Sequence, residues 1–176
     1  IISLEVKDES DSQIPNIRNN YTVTDKADGL RKLLFINKSG LIYLLNTNMK
    51  VEFTGYSTIQ KDFFNTLIDG EHITKNKKDE NINLFAAFDI YYFGNKNVTL
   101  LSFVNPDSGD KTIQSRLSVL DTLLKNLNFT SKYTQIPSLK IKTKKFYTEA
   151  STQTIFKACN IILENIENGM YDYETD

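Results

Sequence analysis

The segment Lys26-Ala27-Asp28-Gly29-Leu30-Arg31 holds the residue types needed for attack by an amine on phosphorus. A lysine Nζ can displace pyrophosphate from the α-phosphorus of a nucleoside triphosphate and leave a covalent lysyl-nucleotide. This requires nearby positive charge or desolvation that keeps part of the amine unprotonated. Arg31 lies across the Asp28-Gly29 turn and can return to such a site, gripping a ribose hydroxyl or a phosphate with its planar fork. Gly29 permits the turn. Taken alone, the segment equally fits a hairpin corner with a solvated lysine.

Two further segments carry chemistry. Leu67-Ile68-Asp69-Gly70-Glu71-His72-Ile73 embeds a carboxylate in an apolar strand just after a Gly, where a buried acid needs a cationic or metal partner. The alternative is a bulge at Gly70 that leaves Glu71 facing solvent on an edge strand. In Leu84-Phe85-Ala86-Ala87-Phe88-Asp89-Ile90-Tyr91-Tyr92-Phe93-Gly94-Asn95, Phe88 can stack on a base while Asp89 points the other way. Neighbouring strand residues face opposite sides, so the two do not line one pocket. Plain core packing is the competing reading of these aromatics.

The elements that must position these groups follow from periodicity. Residues 22–37 predict two extended stretches joined at Asp28-Gly29, and residues 40–46 a third, after the turn Asn37-Lys38-Ser39-Gly40. Short strands are expected over 51–55 and 66–74, the latter interrupted at Asp69-Gly70, a polar loop over 74–83, a buried strand over 84–93 and a turn at 94–97. The period then changes. Ile113, Leu117, Leu120, Leu123, Leu124 and Leu127 follow helical spacing. Lys140 to Tyr147 alternates again, and Ser151 to Asn168 predicts a helix with Ile155, Phe156, Cys159, Ile162, Leu163 and Ile166 on one side. Ile1 to Asp8 also alternates like a strand. Hairpin-linked strands followed by helices give an α+β class with antiparallel sheets.

Composition narrows the chemistry further. The chain has 176 residues, 40% of them hydrophobic and 24% charged, with 21 basic against 22 acidic side chains. That length suits one domain, 1–176, and the charge balance excludes a bulk polycation while allowing a local basic groove. Cys159 is the single cysteine, so no disulfide closes within the chain and no Cys-based zinc site can be built; its place on a helix face predicts core packing. His72 is the single histidine and is read as a partly buried spacer. Ser102, Ser108 and Ser115 therefore lack a histidine relay for hydrolase chemistry. No apolar run of about 18 residues occurs, so no membrane-spanning helix and no membrane partner are expected.

Taken in order, Lys26-x-Asp28-Gly29-x-Arg31, Asp69-Gly70-Glu71, and Phe88-Asp89 followed by Gly94-Asn95 resemble the first, third and adjoining aromatic motifs of the covalent nucleotidyltransferases. That superfamily comprises mRNA capping enzymes and ATP- or NAD-dependent polynucleotide ligases. The resemblance runs motif by motif over 22–97 and more loosely beyond. The text from Ile14 to Lys26 and from Leu67 to His72 looks most like capping guanylyltransferases of giant, amoeba-infecting DNA viruses and their large-virus relatives. The end, Tyr171-Asp172-Tyr173-Glu174-Thr175-Asp176, is similar to the lead-in to the family's fourth motif, with Asp176 as its acid.

The resemblance implies a nucleotidyltransferase core, ATP-grasp-like as in DNA ligases and capping enzymes. It would have antiparallel sheets and flanking helices, end at the fourth motif, and lack the OB-fold domain. It implies that Lys26 forms lysyl-GMP from GTP, with Asp28 and Gly29 shaping the nucleotide-binding turn. Arg31 would contact the ribose, Phe88 would stack on guanine, and Glu71 would bind the ribose or a metal-linked water network. Asp176, with Glu71, would help hold Mg²⁺ or Mn²⁺. GMP would pass to the 5′-diphosphate end of RNA, in a longer chain that also carries triphosphatase and methyltransferase domains, within host cytoplasm (a viral factory) or a virion. A ligase adenylation domain using lysyl-AMP, or a non-catalytic subunit of the same fold, are the rival readings. Ala27 stands where many capping enzymes have Thr, and the fifth motif's paired lysines are absent. Lys142, Lys144 and Lys145 are expected to be a solvated strand face rather than a substitute, so turnover by this chain alone is not expected.

Overall fold

A computed structural model describes residues 21–105, 114–131, 133, 137–148, 152 and 154–175. Ile1 to Asp8, Ile113, Ser151 and Asp176, each named above, lie outside them. Chain order runs β1 (Thr22–Val23), β2 (Leu30–Ile36), β3 (Leu41–Asn46), β4 (Val51–Ser57), β5 (Thr66–Lys75), β6 (Asn81–Phe93), β7 (Lys96–Asn97) and α1 (Arg116–Asn126). Then come β8 (Thr130–Ser131), β9 (Lys140–Thr143), β10 (Tyr147–Thr148) and α2 (Ile155–Glu167). The main sheet has the order β7-β6-β5-β2-β3-β4-β8, and β9 joins it by pairing with β6. That last pairing is parallel; the other ladders are antiparallel. β1 and β10 form a separate two-stranded pair.

Three of the hairpins are built by one local device. Asn37, Asn46 and Asn76 each accept two backbone N–H groups on the side-chain carbonyl, from residues two and four further on. Three residues after each asparagine the backbone turns left-handed, at Gly40 (φ 78°), Met49 (φ 61°) and Asp79 (φ 58°). An asparagine that mimics a backbone acceptor fixes the turn, and the turn fixes the register of the flanking strands.

That register decides which side chains face which way. Leu34 and Ile36 of β2, Ile42 and Leu44 of β3, Ile68 of β5, and Phe85 and Ile90 of β6 are buried together with Leu120 and Leu123 of α1. Helix α1 starts at a capping box between Ser115 and Ser118, which satisfies two amides the first turn leaves open. Arg116 in that turn holds Asp89 of β6, Nε to Oδ1 at 2.8 Å.

Some expectations change here. The predicted loop over 74–83 shrinks to 76–80, because β5 and β6 stay paired as far as Lys75 and Asn81; backbone pairing does not need apolar side chains, and β5 also runs unbroken through Asp69-Gly70. β5 lies between β2 and β6, so it is a central strand and not an edge. On α2 the buried residues are Ile155, Ala158 and Ile162, whereas Phe156 and Leu163, expected on the packed side, are exposed. Cys159 is only half-buried.

Candidate active site

The antiparallel register of β2 and β5 sets Arg31 opposite Glu71 and Leu33 opposite Asp69. With a side-chain period of two, Arg31, Asp69, Glu71 and Ile73 share the face turned away from Leu34 and Ile68. Asp69 has no solvent exposure. It is held by Arg31, Nε to Oδ1 at 3.1 Å and Nη2 to Oδ2 at 2.6 Å, and its Oδ2 also accepts the hydroxyl of Tyr91. Asp69 thus has the cationic partner that burial demands. The pair raises the pKa of Arg31. Burial, then the bond to Asp69, raises that of the Tyr91 phenol. The side chain of Arg31 is still 60% exposed, and its guanidinium carbon lies 6.0 Å from the centre of the Phe88 ring, within cation–π range.

A bulge separates the two aromatic-motif residues. Asp69 pairs with Asp89 and Gly70 with Ala87, leaving Phe88 as the extra residue of β6. Phe88 lies beside Arg31, while both oxygens of Asp89 are taken by Arg116. The alternation expected to set them on opposite sides fails at the bulge. Ala87 and Ile90 are both in the core and Asp89 sits opposite Asp69, so Phe88 and Asp89 lie on the same face. It is the grip of Arg116 that takes Asp89 away from Arg31. Gly70 is required for a steric reason. A Cβ there would sit 2.5 Å from Cζ of Phe85 and 2.9 Å from the Ala86 carbonyl.

The lysine-bearing loop is pinned on the same face. Ala27 packs with Tyr173 against Ile73, Leu84 and Ala86, and a Cβ on Gly29 would meet Cγ of Glu71 at 2.8 Å. Ala27 bridges to Thr175, and the Asp28 amide donates to the Glu174 carbonyl at 2.9 Å. Asp25, next to the lysine, is buried. Its Oδ2 takes the Tyr173 hydroxyl at 3.0 Å and faces Nζ of Lys144 at 3.3 Å, and Lys144 also donates to the Asp25 carbonyl. Thr24 Oγ1 donates to the Lys145 carbonyl at 2.8 Å. Lys26 itself is exposed.

Glu71 is the focus of the local charge. Burial pushes its carboxyl pKa up; Lys144 opposes this most strongly, Asp69 adds to the rise, and Arg31 and Asp28 act in opposite directions. His72, next in the strand, has its pKa lowered by burial. It reaches Asn83 through Nε2 at 3.0 Å, and its buried Nδ1 has no hydrogen-bond partner among the described residues.

Lys144 departs from the solvated face expected of Lys142, Lys144 and Lys145. Its side chain is only 7% exposed and paired with Asp25, while Lys142 and Lys145 are exposed. Alternation from Lys140 and Lys142 predicts an outward Lys144, but β9 ends at Thr143 and the phase is lost there. Asp25, Tyr91 and Tyr173 are site residues with no role assigned from the sequence, and Asp69 lies inside the Asp69-Gly70-Glu71 match without being singled out there. The apolar setting of Asp69 signals that it must have a partner, but which partner depends on register. Asp176 lies outside the described residues. Among those residues no group of three or more His, Cys, Asp and Glu could hold a metal ion. Glu71 and Asp28 alone therefore do not make a protein cage, and a hard cation here would also need substrate phosphates.

Antiparallel sheets with flanking helices, and a lysine loop set over an Arg-Asp-Glu face, define a nucleotidyltransferase-type domain, as expected from the sequence. The family model for the mRNA capping enzyme, catalytic domain, matches residues 13–170, and the chain belongs to that family. It is 36% identical over 131 residues to a protein described as a probable mRNA-capping enzyme from Acanthamoeba polyphaga mimivirus. That match covers 72% of this chain and 10% of the relative, so the chain spans about a tenth of the length of the curated relative it matches.

Proposed function

We propose that this domain is the guanylyltransferase of a capping enzyme, loading GMP from GTP onto Lys26 and passing it to the 5′-diphosphate end of RNA. The observation that carries the reading is the placement of an exposed Lys26 in a loop pinned over the face that bears the Arg31–Asp69 pair and Glu71. In the first step Nζ of Lys26 forms a bond to the α-phosphorus, the bond from that phosphorus to the bridging oxygen breaks, pyrophosphate leaves and the amine gives up a proton to solvent. In the second, a β-phosphate oxygen of the RNA forms the new bond to phosphorus, the P–N bond breaks and the lysine takes a proton back.

In this reading Arg31, anchored by Asp69, presents its exposed fork to ribose or phosphate. Phe88 offers a ring face to guanine, Glu71 binds the ribose, and Asp28 with Gly29 shapes the turn. Positive charge from Arg31 and Lys144 around Glu71 favours an anionic triphosphate and an unprotonated amine. Mg²⁺ or Mn²⁺, held by the triphosphate with Glu71 and Asp176, would neutralise charge on departing pyrophosphate. The natural full-length protein, incubated with α-labelled GTP or ATP and Mg²⁺, tests the proposal. Label from GTP supports it; label from ATP alone replaces it with a ligase-type adenylation.

A further inference from the structure

We propose that the cleft between the β5–β6 turn, β9 and the end of α2 binds the 5′-terminal phosphates and first nucleotides of the acceptor RNA; this rests on the guanylyltransferase reading. The cleft has a volume of about 660 Å³, within the roughly 300–1,000 Å³ typical of ligand sites. Lys77 and Lys78 line it from the turn, and Lys140 and Lys142 from β9. Against these four stand two carboxylates, Glu80 and Asp172, a local excess of two positive charges in a chain of net charge −1.

The carboxylates are also partly engaged. Glu80 accepts from the Asn76 amide at 2.7 Å, and Asp172 lies 3.5 Å from Lys142. Among the described residues Lys77, Lys78 and Lys140 make no ion pair. The turn that presents Lys77 and Lys78 is preset by Asn76, whose Oδ1 holds the amides of Lys78 and Glu80 at 2.9 Å each. Exposed Lys140 and Lys142 alternate with half-buried Ile141 and Thr143 along β9, so both point to the cleft side. The backbone that presents the lysines is thus set before a ligand arrives, so only their exposed side chains remain to be ordered on binding.

Position then selects the ligand. Ile82 and Leu84 line the cleft and also pack in the cluster that seats Ala27. The cleft therefore runs up to the lysine loop. Phe88 and Arg31, read as the nucleotide contacts, lie past Ala86 in the opposite direction along β6. Donor and acceptor would thus approach Lys26 from two sides, as transfer through a shared lysine requires. Tyr171 adds an aromatic wall braced by Tyr173 at 5.7 Å between ring centres. Lysines that track phosphates beside an aromatic ring suit a single-stranded RNA end.

The test uses the natural full-length protein with Lys77, Lys78, Lys140 and Lys142 all changed to Ala. GMP loading from GTP is expected to stay within about twofold, while transfer to 5′-diphosphate RNA falls by on the order of tenfold. The log–log salt slope of RNA binding should shrink by roughly 3, at about 0.7 for each phosphate that no longer meets a lysine. Unchanged transfer and slope would overturn the proposal. So would a raised KM for GTP with normal transfer, which would put the triphosphate in the cleft. Photo-crosslinking of unaltered protein to RNA bearing a photoreactive first nucleotide decides the matter even if the variant misfolds. Crosslinks in 75–83, 138–142 or 169–172 are expected, and crosslinks confined elsewhere overturn the assignment. If the unaltered protein takes no GMP, the guanylyltransferase reading fails, and the crosslinks still report whether the cleft receives phosphorylated RNA.

Discussion

Replacing Asp69 with Asn keeps the side chain's shape and removes its charge. Asp69 accepts three hydrogen bonds, two from Arg31 and one from Tyr91. Asn has one carbonyl oxygen, and its amide group confronts donors on Arg31. Two charge-assisted bonds are weakened or lost, each worth about 1.5–3 kcal/mol. Breaking a fully buried pair costs about 3–5 kcal/mol, but the Arg31 side chain is 60% exposed and regains water. The expected loss is therefore about 2 kcal/mol, or roughly 4–8 °C in Tm for a chain of this size. Urea unfolding at unchanged slope measures it. The double-mutant cycle with Arg31→Met should give a coupling of about 1–2 kcal/mol. GMP loading should fall in Asp69→Asn and in Arg31→Met to a similar degree, because an unanchored guanidinium no longer presents its fork. Additive stability effects, or normal loading in Asp69→Asn, would refute the idea that this buried acid positions Arg31.

Gly70→Ala should destabilise by about 1–3 kcal/mol through overpacking, since the added Cβ meets the Phe85 ring at 2.5 Å; pairing it with Phe85→Leu should recover part of that loss in the same denaturation assay. Lys144→Met leaves Asp25 buried without its cation and should cost about 3–5 kcal/mol, with partial recovery on adding Asp25→Asn. His72 has a folded pKa lowered from 6.5 by burial, so the stability its neutral form contributes is present above 6.5 and lost as pH falls through the lowered value. Calorimetry in an acid series should show a steeper loss for the unaltered protein than for His72→Gln.

Much of the fold is legible because single residues settle local geometry. Asn37, with Gly40 three positions on, announces a hairpin between two apolar runs. Leu33 to Ile36 and Leu41 to Leu45 do not alternate, so which of them enter the core (Leu34, Ile36, Ile42 and Leu44) follows from the register and not from the pattern. Asp69 in an apolar strand announces a partner, but its identity follows from the offset of β2 against β5, which no local pattern encodes. Lys144 defies its local alternation for a related reason. Its inward turn comes from the end of β9, where the chain leaves the sheet to meet the loop of Asp25. The motif residues are legible from their order, while the groups that hold them in place, Asp25, Tyr91, Lys144 and Tyr173, come from distant parts of the chain.

Mass-spectrometric mapping of the residue that carries GMP, after the natural full-length protein reacts with GTP, tests the central claim most directly. The expected result is a phosphoramidate on Nζ of Lys26, and none in Lys26→Ala at unchanged thermal stability. A GMP adduct on any other side chain, or undiminished loading in Lys26→Ala, would contradict it.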